Sequence, residues 1–174
     1  PAGPDCNLAC TYCFYLPKAS LYPASSRHRM SASTLKRLIS TYMATDQDTY
    51  SFGWQGGEPT LMGVEFFRKV VELQSRYGRP GSIVANGLQT NATMITDELA
   101  KLLAEYRFLL GVSLDGPEEI HDTYRKNRNG TGSYKRVMEG IESLKKHGVE
   151  FNILVAVNSA NVGMAGRIYT FLLD

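Results

Sequence analysis

Three cysteines lie within eight residues near the start of the chain. Cys6, Cys10 and Cys13 have the spacing C-x3-C-x2-C, and the 174 residues contain no other cysteine. An odd number of thiols so close together is a poor disulfide framework, and chance would cluster them this tightly only about 1% of the time. Thiolates are preferred ligands of zinc and of iron–sulfur clusters. The spacing therefore predicts a metal centre.

The number of ligands distinguishes two kinds of metal centre. Structural zinc takes four protein ligands, and the nearest fourth candidate is His28, whose neighbours Arg27 and Arg29 oppose a cation. A cluster of four irons held by three thiolates leaves one iron open to an outside donor. An open position is typical of catalysis, and a non-catalytic structural or redox module is the alternative.

Short apolar runs alternate with amphipathic helical patterns along the rest of the chain. We predict strands at residues 50–54, from 82, at 108–114 and at 151–157, with helices between them. Ser33, Thr96 and Ser133 are the expected starts of three helices. Such alternation predicts an α/β fold with parallel strands, either a wound sheet or an open section of a barrel.

Ligands of parallel sheets bind beyond the carboxyl ends of the strands. We therefore expect the site in the loops that follow the strands, at residues 55–59, 86–93, 115–125 and 158–161. Asp115 and Asp122, in the third of these loops, are interpreted as turn and cap residues, because aspartate favours both settings.

Composition excludes several classes of protein. The chain is 43% hydrophobic and 21% charged with a net charge of +2, which is the composition of a globular protein. So small a positive surplus argues neither for nor against nucleic acid, which needs a clustered basic face, and we expect no nucleic-acid partner. The longest apolar runs are too short to cross a bilayer, and no signal-peptide pattern is present, so we expect no membrane partner. Pro1 at the start and a helical pattern running into Asp174 lead us to expect a piece of a longer protein.

Residues 6–15 (CNLACTYCFY) resemble the signature of radical S-adenosylmethionine (SAM) enzymes. The resemblance is strengthened by residues 55–60 (QGGEPT), a Gly-Gly-Glu turn at the end of a predicted strand. The closer resemblance is to the anaerobic sulfatase-maturating enzymes and their SPASM-domain relatives. It is carried further by residues 88–93 (LQTNAT), 113–125 (SLDGPEEIHDTYR) and 132–141 (GSYKRVMEGI).

The resemblance implies that residues 1–174 are a radical SAM core domain, an incomplete (βα)6 barrel with parallel strands. Its first strand would lie before Pro1 and its last strand after Asp174. A C-terminal SPASM domain with further clusters would follow the last strand. A carboxylate that accepts a proton from the substrate would also lie beyond Asp174. No catalytic residue is therefore predicted within the chain, and we expect it to lack part of the catalytic machinery.

By the same resemblance, Cys6, Cys10 and Cys13 hold a 4Fe–4S cluster whose fourth iron is chelated by SAM. One electron from the cluster would cleave SAM to a 5′-deoxyadenosyl radical, which abstracts a hydrogen from the substrate. The cluster is easily oxidised, so we expect a reducing cytoplasm and anaerobic chemistry. A flavodoxin or ferredoxin is the expected electron donor.

Further positions resemble the family's SAM contacts. Gly56 and Gly57 would let the backbone approach the ligand, and the turn at Glu58 would present acceptors to the SAM ammonium. Tyr12 would pack against the adenine. The remaining predicted contacts are Ser113 and Arg125 with SAM, and Gln55 and Tyr15 with both SAM and the substrate side chain.

The segment around Asn91 departs from the family, in which glycine commonly follows the asparagine. Ala92 stands there instead, and its Cβ would strain a left-handed backbone. We therefore expect a different turn and do not include Asn91 among the predicted site residues.

The resemblance predicts that the parent protein oxidises a Cys or Ser side chain of a sulfatase polypeptide to formylglycine. The alternatives are another peptide-modifying radical SAM enzyme of the SPASM group, or the non-catalytic metal module described above.

Overall fold

Strands and helices alternate in the computed structural model, which describes residues 2–22 and 28–173. The strands are β1 (Thr49–Trp54), β2 (Ile83–Thr90), β3 (Leu109–Ser113) and β4 (Phe151–Leu154). The helices are α1 (Ala32–Met43), α2 (Val64–Tyr77), α3 (Asp97–Glu105), α4 (Glu118–Tyr124), α5 (Tyr134–Lys146) and α6 (Ala165–Leu173). Short 3-10 turns lie at Pro17–Leu21, Pro59–Met62 and Val162–Met164.

The four strands form one parallel sheet in chain order, which confirms the predicted α/β fold. A sheet in sequential order has no point at which the winding reverses, so its crossover helices lie on one face, as in a barrel. Burial agrees with this arrangement. Tyr50, Phe52 and Trp54 of β1 are buried beneath the helices, whereas Ile83 and Leu109 on the other face are exposed.

Two of the predicted helix starts can be compared at atomic detail. The Thr96 hydroxyl accepts a hydrogen bond from the Leu99 N–H at 3.2 Å, as expected of an N-cap. The prediction of Ser33 as the cap of α1 is wrong, because Ser31 caps that helix by accepting from the Thr34 N–H at 3.1 Å. Met30 packs against the core just before this cap and so fixes where the helix begins.

Three loop boundaries also differ from the prediction. Strand β2 continues through residues 86–90, because the polar Asn86 is satisfied in the interior by Trp54 and Gln74, at 3.0 and 2.9 Å. The predicted loop 115–125 contains helix α4, which begins after Pro117 with glutamates in its first turn. Strand β4 ends at Leu154 rather than at residue 157.

Candidate functional site

The Gly-Gly-Glu turn after β1 packs directly against the segment that leads into the cysteines. The Glu58 N–H donates to the Asp5 carbonyl at 2.7 Å. Gly57 has φ +52°, and a Cβ placed on it would lie 2.2 Å from that same carbonyl. Glycine is therefore required by both the backbone conformation and the close approach. The two motifs that carried the sequence resemblance form one structural unit.

The Glu58 side chain is buried and holds the turn to the end of β2. Its Oε1 accepts from the N–H and hydroxyl of Thr60 and from the Thr90 hydroxyl, at 3.0, 2.6 and 2.7 Å. Its Oε2 accepts from the Asn91 N–H at 2.7 Å. Burial raises the pKa of Glu58, and these hydrogen bonds act in the opposite direction. Because the carboxylate is used internally, the acceptors that this turn can offer a ligand are main-chain carbonyls.

Asn91 joins the end of β2 to the cysteine segment, which the sequence analysis missed. Its Oδ1 accepts from the Thr93 N–H and hydroxyl at 3.0 and 2.7 Å, an Asx-type turn. Its Nδ2 donates to Asn7 Oδ1 at 3.0 Å and lies 3.8 Å from Cys6 Sγ. The preference of asparagine for such turns was the available sequence signal.

The expectation of a different turn at Ala92 is wrong. Ala92 adopts φ +60°, in the left-handed region. Its N–H donates to the Thr90 hydroxyl at 3.0 Å, which offsets part of the strain. Gly140 of α5 packs so closely on this turn that a Cβ there would lie 2.1 Å from the Ala92 carbonyl.

Main-chain contacts anchor the cysteine loop to the last residue of α4 and to the segment that follows it. The Ala9 N–H donates to the Lys126 carbonyl at 2.8 Å, and the Thr11 N–H donates to the Tyr124 carbonyl at 3.1 Å. The Arg128 guanidinium donates through Nε and Nη2 to the Cys6 carbonyl, at 2.9 and 2.7 Å. The loop is therefore held from two sides, by this segment and by the Gly-Gly-Glu turn.

The three cysteines are free thiols, with Cys10 buried and the other two half-buried. Burial raises the pKa of Cys10 to about 11 and also raises that of Cys6. Charge on Cys13 raises both pKa values further, so the thiols lie near enough to influence one another. Bound iron would supply the positive charge that stabilises three such thiolates.

Within residues 2–22 and 28–173, no group of three or more His, Cys, Asp or Glu side chains is arranged around a single metal ion. His28 packs its ring against Tyr22, with centroids 4.8 Å apart. A zinc ion draws all its ligands to one atom, whereas three thiolates of a cluster bind three different irons. Free, adjacent and mutually influencing thiols fit the cluster as a donor set.

The buried ion pair of Asp115 and Arg125 contacts Tyr12 of the cysteine loop, a residue that is 37% exposed. The Tyr12 hydroxyl donates to Asp115 Oδ2 at 2.6 Å, and Arg125 Nε donates to the same oxygen at 3.0 Å. The Arg125 guanidinium also lies 5.5 Å from the centre of the Tyr12 ring. Asp115 Oδ1 accepts from the Ala156 N–H at 2.9 Å, so Asp115 is more than the turn residue that we expected.

His121 is a second buried residue that sequence reasoning missed. Its Nδ1 accepts from the Asp115 N–H at 3.3 Å, and its Nε2 lies 3.0 Å from the Ser133 hydroxyl. That hydroxyl donates to the Arg125 carbonyl at 2.8 Å, so the arrangement fits a neutral ring with its proton on Nε2. Burial lowers the pKa of His121 to about 4. Asp122 accepts from the N–H groups that begin α5, which confirms its predicted capping role.

Polar side chains follow one another along the carboxyl edge of the exposed sheet face. Gln55 comes directly after β1, Gln89 lies near the end of β2, and Ser113 ends β3. Gln89 Nε2 donates to the Ser113 hydroxyl at 3.1 Å. Gln55 and Gln89 also line a cavity of about 240 Å³ on this face. The structure thus brings Gln55 and Ser113 to the same edge.

A glycine lies two residues before each of these polar side chains. They are Gly53, Gly87 and Gly111, and all three line the cavity. A Cβ on Gly111 would lie 2.2 Å from the Gln89 side-chain oxygen, so this glycine lets Gln89 reach across to β3.

The remaining predicted residues lie on the two loops already described. Gly56 has φ +94° in the turn beside Gly57. Tyr15 is half-buried and packs against Phe14, with ring centroids 4.3 Å apart.

The structure is a parallel α/β domain with three free thiols at the carboxyl edge of its sheet. Comparison with known proteins identifies the family to which this domain belongs. The family model of the Radical SAM superfamily matches residues 1–172. The chain therefore belongs to the radical SAM superfamily.

Within this superfamily, the chain is similar in sequence to anaerobic sulfatase-maturating enzymes. The chain is 44% identical to a serine-type anaerobic sulfatase-maturating enzyme of Bacteroides thetaiotaomicron, over 100% of its own length and 42% of the relative. It is 40% identical to a cysteine-type anaerobic sulfatase-maturating enzyme of Clostridium perfringens, over 100% of its own length and 47% of the relative. The chain thus spans less than half the length of these relatives.

A solved structure, native anSMEcpe with bound AdoMet and Cp18Cys peptide, matches the fold closely. The TM-score is 0.90 at 39% identity, over 99% of this chain and 46% of the other. These findings confirm the resemblance predicted from the motifs. No helix in the described part of the chain is long and apolar enough to cross a membrane.

Proposed function

We propose that this chain is part of a radical SAM enzyme that oxidises a Cys or Ser side chain of a sulfatase polypeptide to formylglycine. The observation that carries the proposal is the union of the cysteine loop with the Gly-Gly-Glu turn, through Gly57 and the Asp5 carbonyl. Similarity to both serine-type and cysteine-type maturating enzymes supports the reaction class.

We further propose roles for the site residues. Cys6, Cys10 and Cys13 would hold a 4Fe–4S cluster, which supplies the electron that cleaves SAM to a 5′-deoxyadenosyl radical. Main-chain carbonyls of Gly56 and Gly57 would accept hydrogen bonds from the SAM ammonium.

The side chains around this loop would orient the two substrates. Tyr12 is fixed by Asp115, so its ring is held ready to pack against the adenine. Arg125 donates its Nε to Asp115, and its terminal nitrogens would bind the SAM carboxylate together with Ser113. Gln55 and Tyr15 would border the substrate side chain.

Residues 1–174 would form one core domain, completed by strands outside the chain. We propose a cytoplasmic protein that receives its electron from a flavodoxin or ferredoxin, in keeping with an oxygen-sensitive cluster.

The test uses the full-length protein, purified and reconstituted without oxygen. We expect about four irons on the cysteine loop in addition to those of the expected SPASM clusters, SAM-dependent EPR changes, 5′-deoxyadenosine, and an aldehyde in a sulfatase-derived peptide with Cys or Ser at the target position. Formation of 5′-deoxyadenosine without the aldehyde would assign the enzyme to another peptide substrate.

The Cys10→Ala variant provides the matched control. Loss of 5′-deoxyadenosine with an intact fold supports catalysis at the cysteine loop. Unfolding of this variant, or stoichiometric zinc in the native protein, would instead support the structural metal module.

A further inference from the structure

Two N–H groups lie within hydrogen-bonding distance of the sulfur of Cys6. The Leu8 main-chain N–H is 3.4 Å from Cys6 Sγ, and the side-chain nitrogen of Asn91 is 3.8 Å from it. The first comes from the cysteine loop itself. The second comes from the turn after β2, 85 residues away along the chain.

The orientation of the Asn91 amide is fixed by its other contacts. Its oxygen accepts from the Thr93 N–H, so its nitrogen must face the cysteine segment. An amide nitrogen carries two hydrogens, and one of them is donated to Asn7 at 3.0 Å. The second hydrogen is left for the sulfur.

The surroundings keep this amide in place and away from water. Asn91 is 7% exposed. Its main-chain N–H is held by the buried Glu58 carboxylate at 2.7 Å, and Gly140 packs on the carbonyl of the next residue. A hydrogen bond in such a site is electrostatically stronger than one in water.

We propose that Asn91 is a positioning residue that donates an N–H···S hydrogen bond to the Cys6 thiolate and thereby raises the reduction potential of the cluster. The inference rests on the proposed function, since it requires a cluster on Cys6. Hydrogen bonds to ligand sulfurs are one of the factors that set such potentials. The extra electron places more negative charge on the thiolates, so an N–H donor stabilises the reduced form more than the oxidised form.

Asn91→Leu removes the donor without adding charge. We expect the ratio of reduced to oxidised cluster at a fixed solution potential to fall about tenfold, a decrease of 59 mV for a one-electron couple. Asn91→Asp keeps the acceptor for Thr93 but replaces the N–H donor with a negative oxygen, so the potential should fall further.

Thr93→Val is the matched structural control. The Thr93 hydroxyl donates to Asn91 Oδ1 at 2.7 Å and accepts from Asn7 Nδ2 at 2.8 Å. The substitution removes both hydrogen bonds but leaves the Asn91 amide nitrogen in place. We expect its potential to equal that of the native protein.

The measurement is a potentiometric titration of the reconstituted full-length protein that follows the SAM-sensitive EPR signal, which distinguishes the cluster on the cysteine loop from the expected SPASM clusters, with iron content determined for each variant. Equal potentials for native protein and Asn91→Leu would overturn the inference, as would an equal decrease in Thr93→Val. If Asn91→Leu does not retain the cluster, an unchanged potential in Asn91→Asp, which preserves the turn, would overturn the inference. A native protein that binds no cluster would refute the proposed function itself.

Discussion

His121 is a buried, neutral ring that links the main chains on either side of helix α4. Its Nδ1 accepts a hydrogen bond from the Asp115 N–H. Its Nε2 is hydrogen-bonded to the Ser133 hydroxyl, which in turn donates to the Arg125 carbonyl. These two residues also form the buried ion pair beside the cysteine loop. Protonation of His121 would therefore disturb the main-chain positions of Asp115 and Arg125, which border the candidate SAM site.

The pKa of His121 predicts how stability depends on pH. The pKa is about 4 in the folded chain and near 6.5 when unfolded. Above pH 6.5 the ring is neutral in both states and contributes no pH dependence. Between pH 6.5 and 4 only the unfolded chain takes up the proton, so the free energy of unfolding falls, by roughly 3 kcal/mol in total.

His121→Gln removes this titration while keeping a donor and an acceptor. We expect the stability advantage of the native protein over the variant to shrink by roughly 2–3 kcal/mol between pH 7 and pH 4.5, measured by urea unfolding. A difference that stays constant with pH would show that His121 is not held neutral.

Gly57 permits a test that separates backbone strain from close contact. Gly57→Ala meets both a positive φ and the Asp5 carbonyl, whereas Gly63→Ala meets a positive φ of +78° with no atom within 4 Å. Gly63 has ψ 167°, a positive-φ extended conformation that favours glycine, so we expect Gly63→Ala to cost about 1–3 kcal/mol and Gly57→Ala about 2–5 kcal/mol.

Only Gly57→Ala should also lower the iron content after reconstitution, because it displaces the segment leading into Cys6. Equal iron content and equal unfolding midpoints for the two variants would contradict the role of the close contact.

At the scale of elements, the turn between β2 and α3 carries a strained residue in a tightly packed position. Ala92 has a left-handed backbone, and helix α5 approaches it through Gly140. The strain is tolerated because the turn is fixed at several points, by Glu58, by Thr90 and by its own Asx-type hydrogen bonds. The position of Asn91 thus depends on a packing contact with α5.

Substitutions at Ala92 should reveal this strain by their different costs. Ala92→Gly relieves a left-handed cost of about 1–2 kcal/mol, but it loses a fully buried methyl group and adds entropy to the unfolded chain, so we expect a net change in stability below about 1 kcal/mol. Ala92→Val adds a branched side chain beside Gly140 and should cost about 2 kcal/mol or more. Thermal unfolding measures both, and a Gly variant destabilised as much as the Val variant would contradict the prediction.

Local patterns in the sequence predicted most of the elements and the cysteine loop. The periodicity predicted where strands and helices lie along the chain, and Thr96 marked a helix start, because both depend on neighbouring residues. Local patterns could not predict the hydrogen-bonding roles of Asn91, His121 and Asp115. Their partners lie up to 103 residues away, and a pattern does not specify which polar groups meet.

At the scale of the whole molecule, one face of the sheet is not covered by the helices. Ile83, Leu109 and Leu154 are 63%, 49% and 45% exposed on that face. Within the described residues, β1 and β4 are each paired on one side only. Exposed apolar surface and unpaired strand edges favour association between chains.

We therefore expect residues 1–174 alone to associate as concentration rises, measured by analytical ultracentrifugation. Ile83→Lys together with Leu154→Lys should reduce this association by placing charge on the uncovered face. Tyr169→Lys, an exposed aromatic residue of α6, is the matched control and should leave it unchanged. If the chain remains monomeric at all concentrations, the uncovered sheet face does not drive association and the prediction is wrong.

The cysteine loop is anchored through main-chain atoms at Ala9 and Thr11, whose N–H groups donate to carbonyls at and just after the end of α4. Such contacts do not depend on which side chain each partner carries. Natural variation can therefore accumulate at positions 9 and 11 without loss of the anchor, provided that neither becomes proline, which has no N–H. A library that samples every amino acid at these two positions should return many functional sequences, and proline should be absent from both.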